Sequence, residues 1–320
     1  MQAINNKKGK IAFLFTSRNN YQLFDGIFFS YTKADLSEYH IFNIDLNSTD
    51  EQKKLAEEVF QKHNITNIEV DPDDPNLYSA ERCMELCIEH IDKEGIDVDW
   101  VTWFSHDCHL IGDDFLIRAE KILDENPRFL QEVGMIGTAN YNTVKVGDPY
   151  YGRGSLVEGI DGWWHHLPEE YTSSEYFVVE SPQDDSPIIN VRLWKEAIKP
   201  DYGFIIFNWV EDISQQFAIK NIPCITIPSL EIADLYREKS KYNVSRSLDA
   251  NSHFHKDDYN TKPWIEYWHK KYGFRPRDPK WKIKTIVRND FWETYSGTLV
   301  DEMLDWHLFQ GPKTLDDIGK

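Results

Sequence analysis

The sequence predicts an α/β fold built on one doubly wound, mainly parallel β-sheet. Continuous apolar runs of strand length, bounded by polar residues, are typical of strands buried on both faces of such a sheet. Segments of helical period separate these runs, so that strand and helix alternate as far as about residue 110. With 320 residues, of which 41% are hydrophobic, the chain is long enough to bury a large core.

The first half of the chain supplies the alternating elements. Strands are predicted at residues 10–16, 39–45, 67–70 and 100–104, and helices at 23–28, 51–60 and 79–91. Ligands bind at the carboxyl ends of the strands in sheets of this kind. The residues predicted to lie at that edge are Thr16 with Ser17, Asp45 and Asp107.

The second half of the chain adds further predicted strands and helices and then becomes polar and irregular. The predicted elements are a helix at 113–126, a strand at 133–137, a short helix around Trp194, a helix at 211–220, a strand at 224–227 and a helix at 298–309. Residues 140–176 show no clear period and predict loops or a small antiparallel excursion. Beyond Ser229 the chain is polar and irregular. We therefore expect one domain over residues 1–235 and a C-terminal helical extension over 236–320 that packs on it.

The charge balance restricts the partners of the chain. The 54 acidic and 35 basic residues give a formal net charge of −19, which makes nucleic acid an unfavoured partner. The same balance suits a protein that handles a phosphate-bearing substrate through a divalent cation. The sequence shows no apolar stretch of membrane-spanning length and no signal peptide, so a cytoplasmic protein with four reduced cysteines is expected.

The strongest candidate for a metal site is the cluster of His106, Asp107, Cys108 and His109, which follows a predicted buried strand. A carboxylate and an imidazole two residues apart can chelate a divalent cation that also holds two phosphates of a nucleotide. Zinc is the rival metal, since histidine and cysteine are softer ligands. The alternative without a metal is that Asp107 caps a turn and both histidines are solvent-exposed.

Three further groups of polar residues fall where a ligand could bind. Asp45 ends a buried strand and is placed to accept hydrogen bonds from a nucleobase or a ribose, whereas residues 47–50 behind it form a helix N-cap. Arg82 could reach a diphosphate, or it could be a solvated helical arginine. Glu211 and Asp212 open a helix, where acids are normally dipole partners, but such a pair could also hold an acceptor hydroxyl and deprotonate it.

In their order and spacing these segments resemble the family 2 glycosyltransferases and their GT-A relatives, over roughly residues 9–235. The metal cluster is similar to the D-D-D segment of that family, and Glu211 with Asp212 is similar to its acceptor-side E-D motif. The other similar segments are 41–50 (the D-x-S-x-D nucleotide segment), 79–82 (A-x-A-R-N) and 133–137 with 162–164 (V-G-x-x-G and G-x-W-W).

The resemblance implies a GT-A fold and a metal-dependent glycosyltransferase that uses a UDP- or GDP-linked sugar as the donor. Its nucleoside and phosphate parts would lie near Thr16, Asp45 and Arg82. A Mn²⁺ or Mg²⁺ ion on Asp107 and His109 would bridge the diphosphate.

On the acceptor side, the resemblance implies that Glu211 orients a hydroxyl of a glycan and that Asp212 takes its proton, which gives inversion at the anomeric carbon. Sliding the alignment by one makes residues 107–109 a D-x-H motif, similar to that of polypeptide N-acetylgalactosaminyltransferases. This second alignment leaves retention of configuration open.

The metal ligands depart from the family's pattern. An ungapped alignment places His106 and Cys108 where relatives have their outer aspartates. Relatives often supply a third ligand as a histidine after the strand that follows the E-D helix. This chain has Asp234 there, with His253 and His255 further on, and any of the three could substitute.

Other functions are possible on the same sheet. A sugar nucleotidyltransferase typically has a glycine-rich loop after the first strand, and residues 16–20 lack those glycines. A non-catalytic carbohydrate-binding relative is consistent with Cys108 but not with the intact pair of Glu211 and Asp212. Transfer to modified DNA is disfavoured by the net charge. The eleven tryptophans and sixteen tyrosines offer flat faces for sugar rings, or serve only for packing.

Overall fold

The computed structural model describes residues 9–142, 152–153, 176–179, 181–182, 186–204, 209–234, 267 and 270–272. Several predictions fall outside these residues. They concern His253, the helix at 298–309, most of the excursion at 140–176 and most of the extension at 236–320.

The strands, in chain order, are β1 Ile11–Ser17, β2 Ile41–Asp45, β3 Thr66–Asn67, β4 Trp100–Trp103, β5 Cys108–Leu110, β6 Met135–Asn142, β7 Gly152–Arg153, β8 Phe177–Val179, β9 Ile188–Asn190 and β10 Cys224–Asp234. The helices are a π-helical turn Phe24–Phe28, α1 Phe29–Tyr31, α2 Asp50–His63, α3 Ala80–Glu94, α4 Phe115–Glu125, α5 Arg128–Glu132, α6 Val191–Ala197 and α7 Trp209–Ile219. No helix in the described ranges is long and apolar enough to cross a bilayer.

One sheet runs through the fold in the order β3-β2-β1-β4-β9-β6-β10-β5, with β7 beside β6 and β8 beside β10. Its longest pairings are parallel: β1 with β2 and β4, and β10 with β6. The short strand β9 lies antiparallel between β4 and β6 and joins the two parallel parts. The predicted α/β fold with a mainly parallel sheet is confirmed.

Strand β1 is buried on both faces, as its continuous apolar run predicts. Ile11, Phe13 and Phe15 pack on one face with the π-helical turn and α4. Ala12 and Leu14 pack on the other face with α3, α6 and α7. Because both faces are covered by apolar layers, the polar residues of this strand are confined to its carboxyl end.

Two features near that edge differ from the sequence-based expectation. Residues 108–110, for which no strand is predicted, form β5, and β10 continues as far as Asp234. The prediction of an irregular chain directly beyond Ser229 is therefore wrong. β10 shifts its register against β6 between Ile227 and Glu231, where Pro228 removes a backbone donor. Past this shift, β10 supplies the antiparallel partner of β5, which local sequence does not reveal.

Asn190 joins β9 to α6 and has no exposed surface. Its side-chain oxygen accepts a hydrogen bond from the backbone N–H of Leu193 at 2.9 Å and so caps α6. Its amide nitrogen donates to the carbonyl oxygens of Leu130 at 3.0 Å and Val133 at 3.1 Å. One side chain therefore ties the start of α6 to the carboxyl end of α5.

Replacing Asn190 by alanine is expected to lower the free energy of unfolding by about 2–4 kcal/mol, because it removes a cap and a donor to the buried carbonyl group of Val133. The carbonyl group of Leu130 keeps Arg192 as a donor. Thr49→Ala is the matched control, since Thr49 caps the exposed start of α2 through a 3.4 Å contact to the N–H of Gln52. That change should cost about 1 kcal/mol or less. Urea denaturation of both variants measures the difference, and equal losses would contradict this role of Asn190.

Candidate active site at the carboxyl edge of the sheet

The carboxyl ends of β1 and β2 lie side by side, with Ser17 opposite Asp45 in register. Asp45 Oδ1 accepts a hydrogen bond from the backbone N–H of Ser48 at 2.9 Å, and Oδ2 accepts one from the hydroxyl of Tyr21. The ammonium of Lys53 lies 3.9 Å from Oδ1. Because a carboxylate has about four lone-pair positions, these contacts fix Asp45 and still leave it able to accept from a ligand.

The two predicted residues at the end of β1 are in different surroundings. Ser17 is fully buried, and its hydroxyl donates to Oδ1 of Asn43 at 2.7 Å. Asn43 in turn donates to Oδ1 of Asn67 at 2.9 Å, so that side chains link β1, β2 and β3. Thr16 is half-buried. Of this pair, Thr16 is therefore the side chain with surface to offer to a ligand.

The loops that follow β1 and β2 are tied to each other. The backbone N–H of Asn19 donates to Oγ of Ser48 at 3.0 Å, and Asn19 Oδ1 accepts from the N–H of Thr49 at 2.9 Å. Asn47 donates to the carbonyl oxygen of Pro72 at 3.0 Å. Asn19 and Asn47 have φ values of 54° and 57°, a conformation that asparagine tolerates better than most residues. The edge beside Asp45 is therefore held in one shape.

A cavity of about 520 Å³ opens beside Asp45, between α2 and the segment that follows β3. This volume is within the usual range for small-molecule sites. Its walls combine aromatic faces, carboxylates and an ammonium, supplied by Tyr21, Asp45, Lys53, Phe60, Asn67 and Glu69 among others.

The turn that carries Asp107 is held by hydrogen bonds of its own. The N–H of Cys108 donates to the carbonyl oxygen of Ser105 at 3.0 Å, and the Ser105 hydroxyl donates to the Asp107 carboxylate. Asp107 is 8% exposed. Cys108 is buried in the core layer shared with Phe13, so its thiol faces the core and not this edge. Asp107, His106 and His109 are therefore the remaining candidate metal ligands in the cluster.

His106 connects this turn to the loop after β1. Its ring stacks on Phe24 with 5.7 Å between ring centroids. The side-chain amide of Asn20 forms a short hydrogen bond with Nε2 of the imidazole. His106 is thus engaged in holding two loops together.

His109 is half-buried on β5, with its ring 5.5 Å from that of Tyr31. Its Nδ1–H donates to the carbonyl oxygen of Leu110 at 3.0 Å, which places the lone pair of the neutral ring on Nε2. Burial lowers the pKa of His109 from its ordinary value. A neutral imidazole oriented by a carbonyl group is the form that binds metal ions.

Strand β10 brings the backbone of Asp234 opposite Cys108, one residue along from Asp107. Within the part of the chain that the structure describes, no three His, Cys, Asp or Glu side chains are grouped to hold a metal ion by themselves. Asp107 supplies a carboxylate, which Mn²⁺ and Mg²⁺ prefer, and His109 supplies a neutral imidazole; the other positions of an ion on these two residues would be filled by ligand phosphates and water. Asp234, one of the three residues predicted as a possible third ligand, is thus paired through its backbone with this turn.

The guanidinium of Arg82, on α3, contacts two acidic side chains. Its Nε lies 2.8 Å from Asp74, and its Nη1 contacts Glu85 in an i,i+3 ion pair. The guanidinium also lies over the ring of Tyr202, 5.9 Å from the centroid. Although burial acts to lower it, hydrogen bonds to Asp74 and Glu85 hold the pKa of Arg82 above its ordinary value, and these two carboxylates occupy much of the guanidinium.

The two acids that open α7 differ in exposure. Glu211 is half-buried, whereas Asp212 has no exposed surface. Asp212 Oδ1 accepts from the ammonium of Lys271 at 2.6 Å and from the hydroxyl of Tyr272, and Oδ2 accepts from Gln216 at 2.7 Å. Burial raises the pKa of Asp212 although Lys271 opposes the shift. The sequence analysis missed Lys271, because a lysine in a polar region without periodicity gives no signal of a buried partner.

A contact between two tryptophan rings places the start of α7 at the carboxyl edge of the sheet. Trp103 at the end of β4 lies 5.1 Å from Trp209 at the start of α7, between ring centroids. The contact of Asn20 with His106 joins the loop after β1 to the end of β4. The ends of β1, β2 and β4 and the start of α7 are therefore neighbours along one edge of the sheet.

Comparison with known proteins identifies the fold. No protein family profile and no curated protein sequence matches the chain. Among solved structures, the crystal structure of GalNAc-T7 with UDP, GalNAc and Mn²⁺ matches with a TM-score of 0.52 and 12% identity, over 70% of this chain and 43% of that one. The chain thus spans less than half of the GalNAc-T7 structure.

Two further structures are similar at a lower level. The mannosyltransferase PcManGT from Pyrobaculum calidifontis, in complex with GDP-Man and Mn²⁺, has a TM-score of 0.48 and 12% identity over 73% of this chain and 59% of that one. S. aureus TarS 1–349 in complex with UDP-GlcNAc has a TM-score of 0.48 and 11% identity over 90% of this chain and 76% of that one. The match to GalNAc-T7 agrees with the sheet described above, and the predicted GT-A fold is confirmed.

Proposed function

We propose that the chain is a metal-dependent glycosyltransferase that moves a sugar from a nucleoside-diphosphate sugar to the hydroxyl group of an acceptor glycan. The observation that carries this proposal is the arrangement at the carboxyl edge of the sheet. There the hydrogen bond between Asn20 and His106 holds the turn of Asp107 beside the loop after β1. The fold shared with a structure that holds UDP, GalNAc and Mn²⁺ supports it. Membership of family 2 and a cytoplasmic location stay predictions.

The donor would bind across the ends of β1 and β2. Thr16 is partly exposed at the end of β1, and Asp45 is an acceptor that its neighbours already hold in place. The adjoining cavity has room for the nucleoside of a UDP- or GDP-linked sugar. Ser17 contributes by fixing the strands from within, since its hydroxyl is bonded to Asn43. Arg82 reaches a diphosphate only by leaving its acidic partners.

A Mn²⁺ or Mg²⁺ ion would be held by Asp107 and Nε2 of His109, with Asp234 as the third protein ligand. Such an ion neutralises negative charge that develops on the leaving diphosphate. His106 supports the turn through Phe24 and Asn20 instead of binding the ion directly.

The acceptor would approach the start of α7, where Glu211 orients its hydroxyl and Asp212 takes the proton, with in-line attack and inversion. In the described conformation Lys271 and Tyr272 both donate to Asp212, so contact with the acceptor requires the hydroxyl of Tyr272 to leave the carboxylate. The partial exposure of Glu211 favours a second candidate, in which Glu211 is the base and Asp212 supports it.

UDP or GDP is expected to raise the melting temperature of the chain in the presence of Mn²⁺, and by less without the metal, because a ligand of the native state stabilises it. At a hundredfold excess over Kd the gain is about 2.7 kcal/mol, or roughly 5 °C in Tm. Differential scanning fluorimetry with a panel of nucleotides measures this shift. The absence of a shift for every nucleotide, with and without metal, would contradict the proposal. A shift with nucleoside triphosphates alone would favour a nucleotidyltransferase.

Asp107→Ala should abolish the Mn²⁺-dependent part of this shift and keep the metal-independent part, because the nucleoside contacts lie on other strands. Asp113→Ala is the matched control, since Asp113 is an exposed carboxylate a few residues further along the chain. The control should behave as the unmodified protein. Metal-dependent binding that survives in Asp107→Ala would remove this residue from the metal site.

The two candidate bases are separated by Asp212→Asn and Glu211→Gln. If Asp212 is the base, Asp212→Asn keeps the nucleotide shift and lowers turnover about 100-fold or more, since a positioned base contributes that much. Glu211→Gln should then act mainly on the KM of the acceptor. Release of nucleoside diphosphate from the donor gives the rates. The reverse pattern would assign the base to Glu211.

A further inference from the structure

A buried charge cluster lies behind the start of α7, formed by Glu81, Asp201, Asp212 and Lys271. The ammonium of Lys271 lies 2.6 Å from Oδ2 of Asp201 and 2.6 Å from Oδ1 of Asp212. Glu81 accepts a hydrogen bond from the backbone N–H of Asp201 at 2.6 Å. The side chains of Lys271 and Asp212 are 0% exposed.

The cluster brings three carboxyl groups around one ammonium, which cannot neutralise all of them. An unpaired buried charge is costly, so at least one of the three carboxyl groups must carry a proton. Burial raises the pKa of Glu81 well above its ordinary value, with the charge of Asp212 as the second cause. Glu81 Oε1 has no hydrogen-bond partner among the described residues, so the backbone N–H of Asp201 on Oε2 is the one donor in that part of the chain that favours its ionised form. Glu81 is therefore the neutral member.

The other two carboxyl groups have donors that favour the ionised form. Tyr267 donates its hydroxyl to Asp201 Oδ1 at 2.6 Å, and Tyr272 donates to Asp212. Gln216 holds the second oxygen of Asp212. Hydrogen bonds to a carboxylate stabilise its charge, but neutral donors alone do not compensate full burial. The counter-ion that makes the charge tolerable is Lys271.

We propose that Lys271 is a positioning residue for Asp212, whose carboxyl group it keeps ionised and fixed at the acceptor end of the site. Lys271 comes from beyond residue 235, so a segment outside the sheet completes the acceptor side. The catalytic consequence rests on the proposed function, in which Asp212 takes the acceptor proton. The electrostatic part does not, and it is tested separately.

The first test measures Tm against pH for Lys271→Met, with Lys195→Met as the control. Lys195 forms an exposed ion pair with Asp92 at 2.8 Å, so its loss should change Tm little and equally at each pH. Without Lys271, we expect the carboxyl groups of the cluster to bind more protons in the folded state than they do in the unmodified protein. The pKa values of its carboxyl groups are then raised in the folded state, so stability is present below the unfolded values near pH 4 and falls as pH rises.

We expect Lys271→Met to lower Tm by roughly 6 °C or more at pH 8 and by less than half of that at pH 5. Adding Asp212→Asn to Lys271→Met should recover part of the loss at pH 8, because it removes a charge that needs Lys271. In the otherwise unmodified protein, Glu81→Gln should raise Tm, and its gain over the unmodified protein should be larger at pH 8 than at pH 5, because Glu81 is already neutral in the folded state. A loss of the same size at both pH values, with no recovery in the double variant, would overturn the electrostatic role.

The second test measures the pH profile of turnover. Lys271→Met should move the acid limb upward by about one pH unit or more, which is a tenfold loss of ionised base at a pH on that limb. Lys271→Arg should restore the limb in part, and the KM for the donor should not change. A uniform loss at every pH would make Lys271 a structural anchor only and overturn its positioning role.

Failure of the proposed function gives a different result. In that case the unmodified chain neither binds nucleotides nor releases diphosphate, while the Tm profiles still decide whether Lys271 holds Asp212 ionised. If Lys271→Met does not fold, the double variant with Asp212→Asn and the single variant Lys271→Arg supply the same comparison.

Discussion

Apolar layers cover both faces of the central sheet, and the rest of the structure depends on this burial. In β1, side chains alternate between a layer with the π-helical turn and α4 and a layer with α3, α6 and α7. A polar group within such a strand would lose water without gaining a partner. Polar side chains therefore collect where the strands end, and Asp45 and Asp107 are brought to one edge as a result. The burial of both faces of the sheet therefore determines where the candidate site lies.

Order at that edge comes from side chains that bond to neighbouring loops. Asn19 and Ser48 tie two loops together, and His106 ties the turn of Asp107 to the first of them through Asn20. A site assembled from loops has to hold its donors before a ligand arrives, since ordering them afterwards reduces affinity. The ring of His109 is also oriented before a ligand binds, because its hydrogen bond to the carbonyl oxygen of Leu110 selects one tautomer.

Local sequence was sufficient for some of these features and insufficient for others. The continuous apolar runs predict β1, β2 and β4 to within two residues, and with them the edge that carries Thr16, Asp45 and Asp107. They do not show that Ser17 points inward to Asn43 while Thr16 keeps surface. Contacts between distant segments were also missed. The pairing of β5 with β10 and the ion pair of Lys271 with Asp212 join parts of the chain that have no common local pattern.

The register shift in β10 has a consequence for how the chain tolerates insertions and deletions. The strand first follows β6 and then, past Ile227 and Glu231, also pairs with β5. Successive strand residues face opposite sides of a sheet, so a change of one residue in this short stretch reverses the faces of everything after it. The length of the stretch 228–230 thus sets which side of the sheet Glu231 and Ile232 face. Across related sequences, this segment should vary in residue type far more freely than in length.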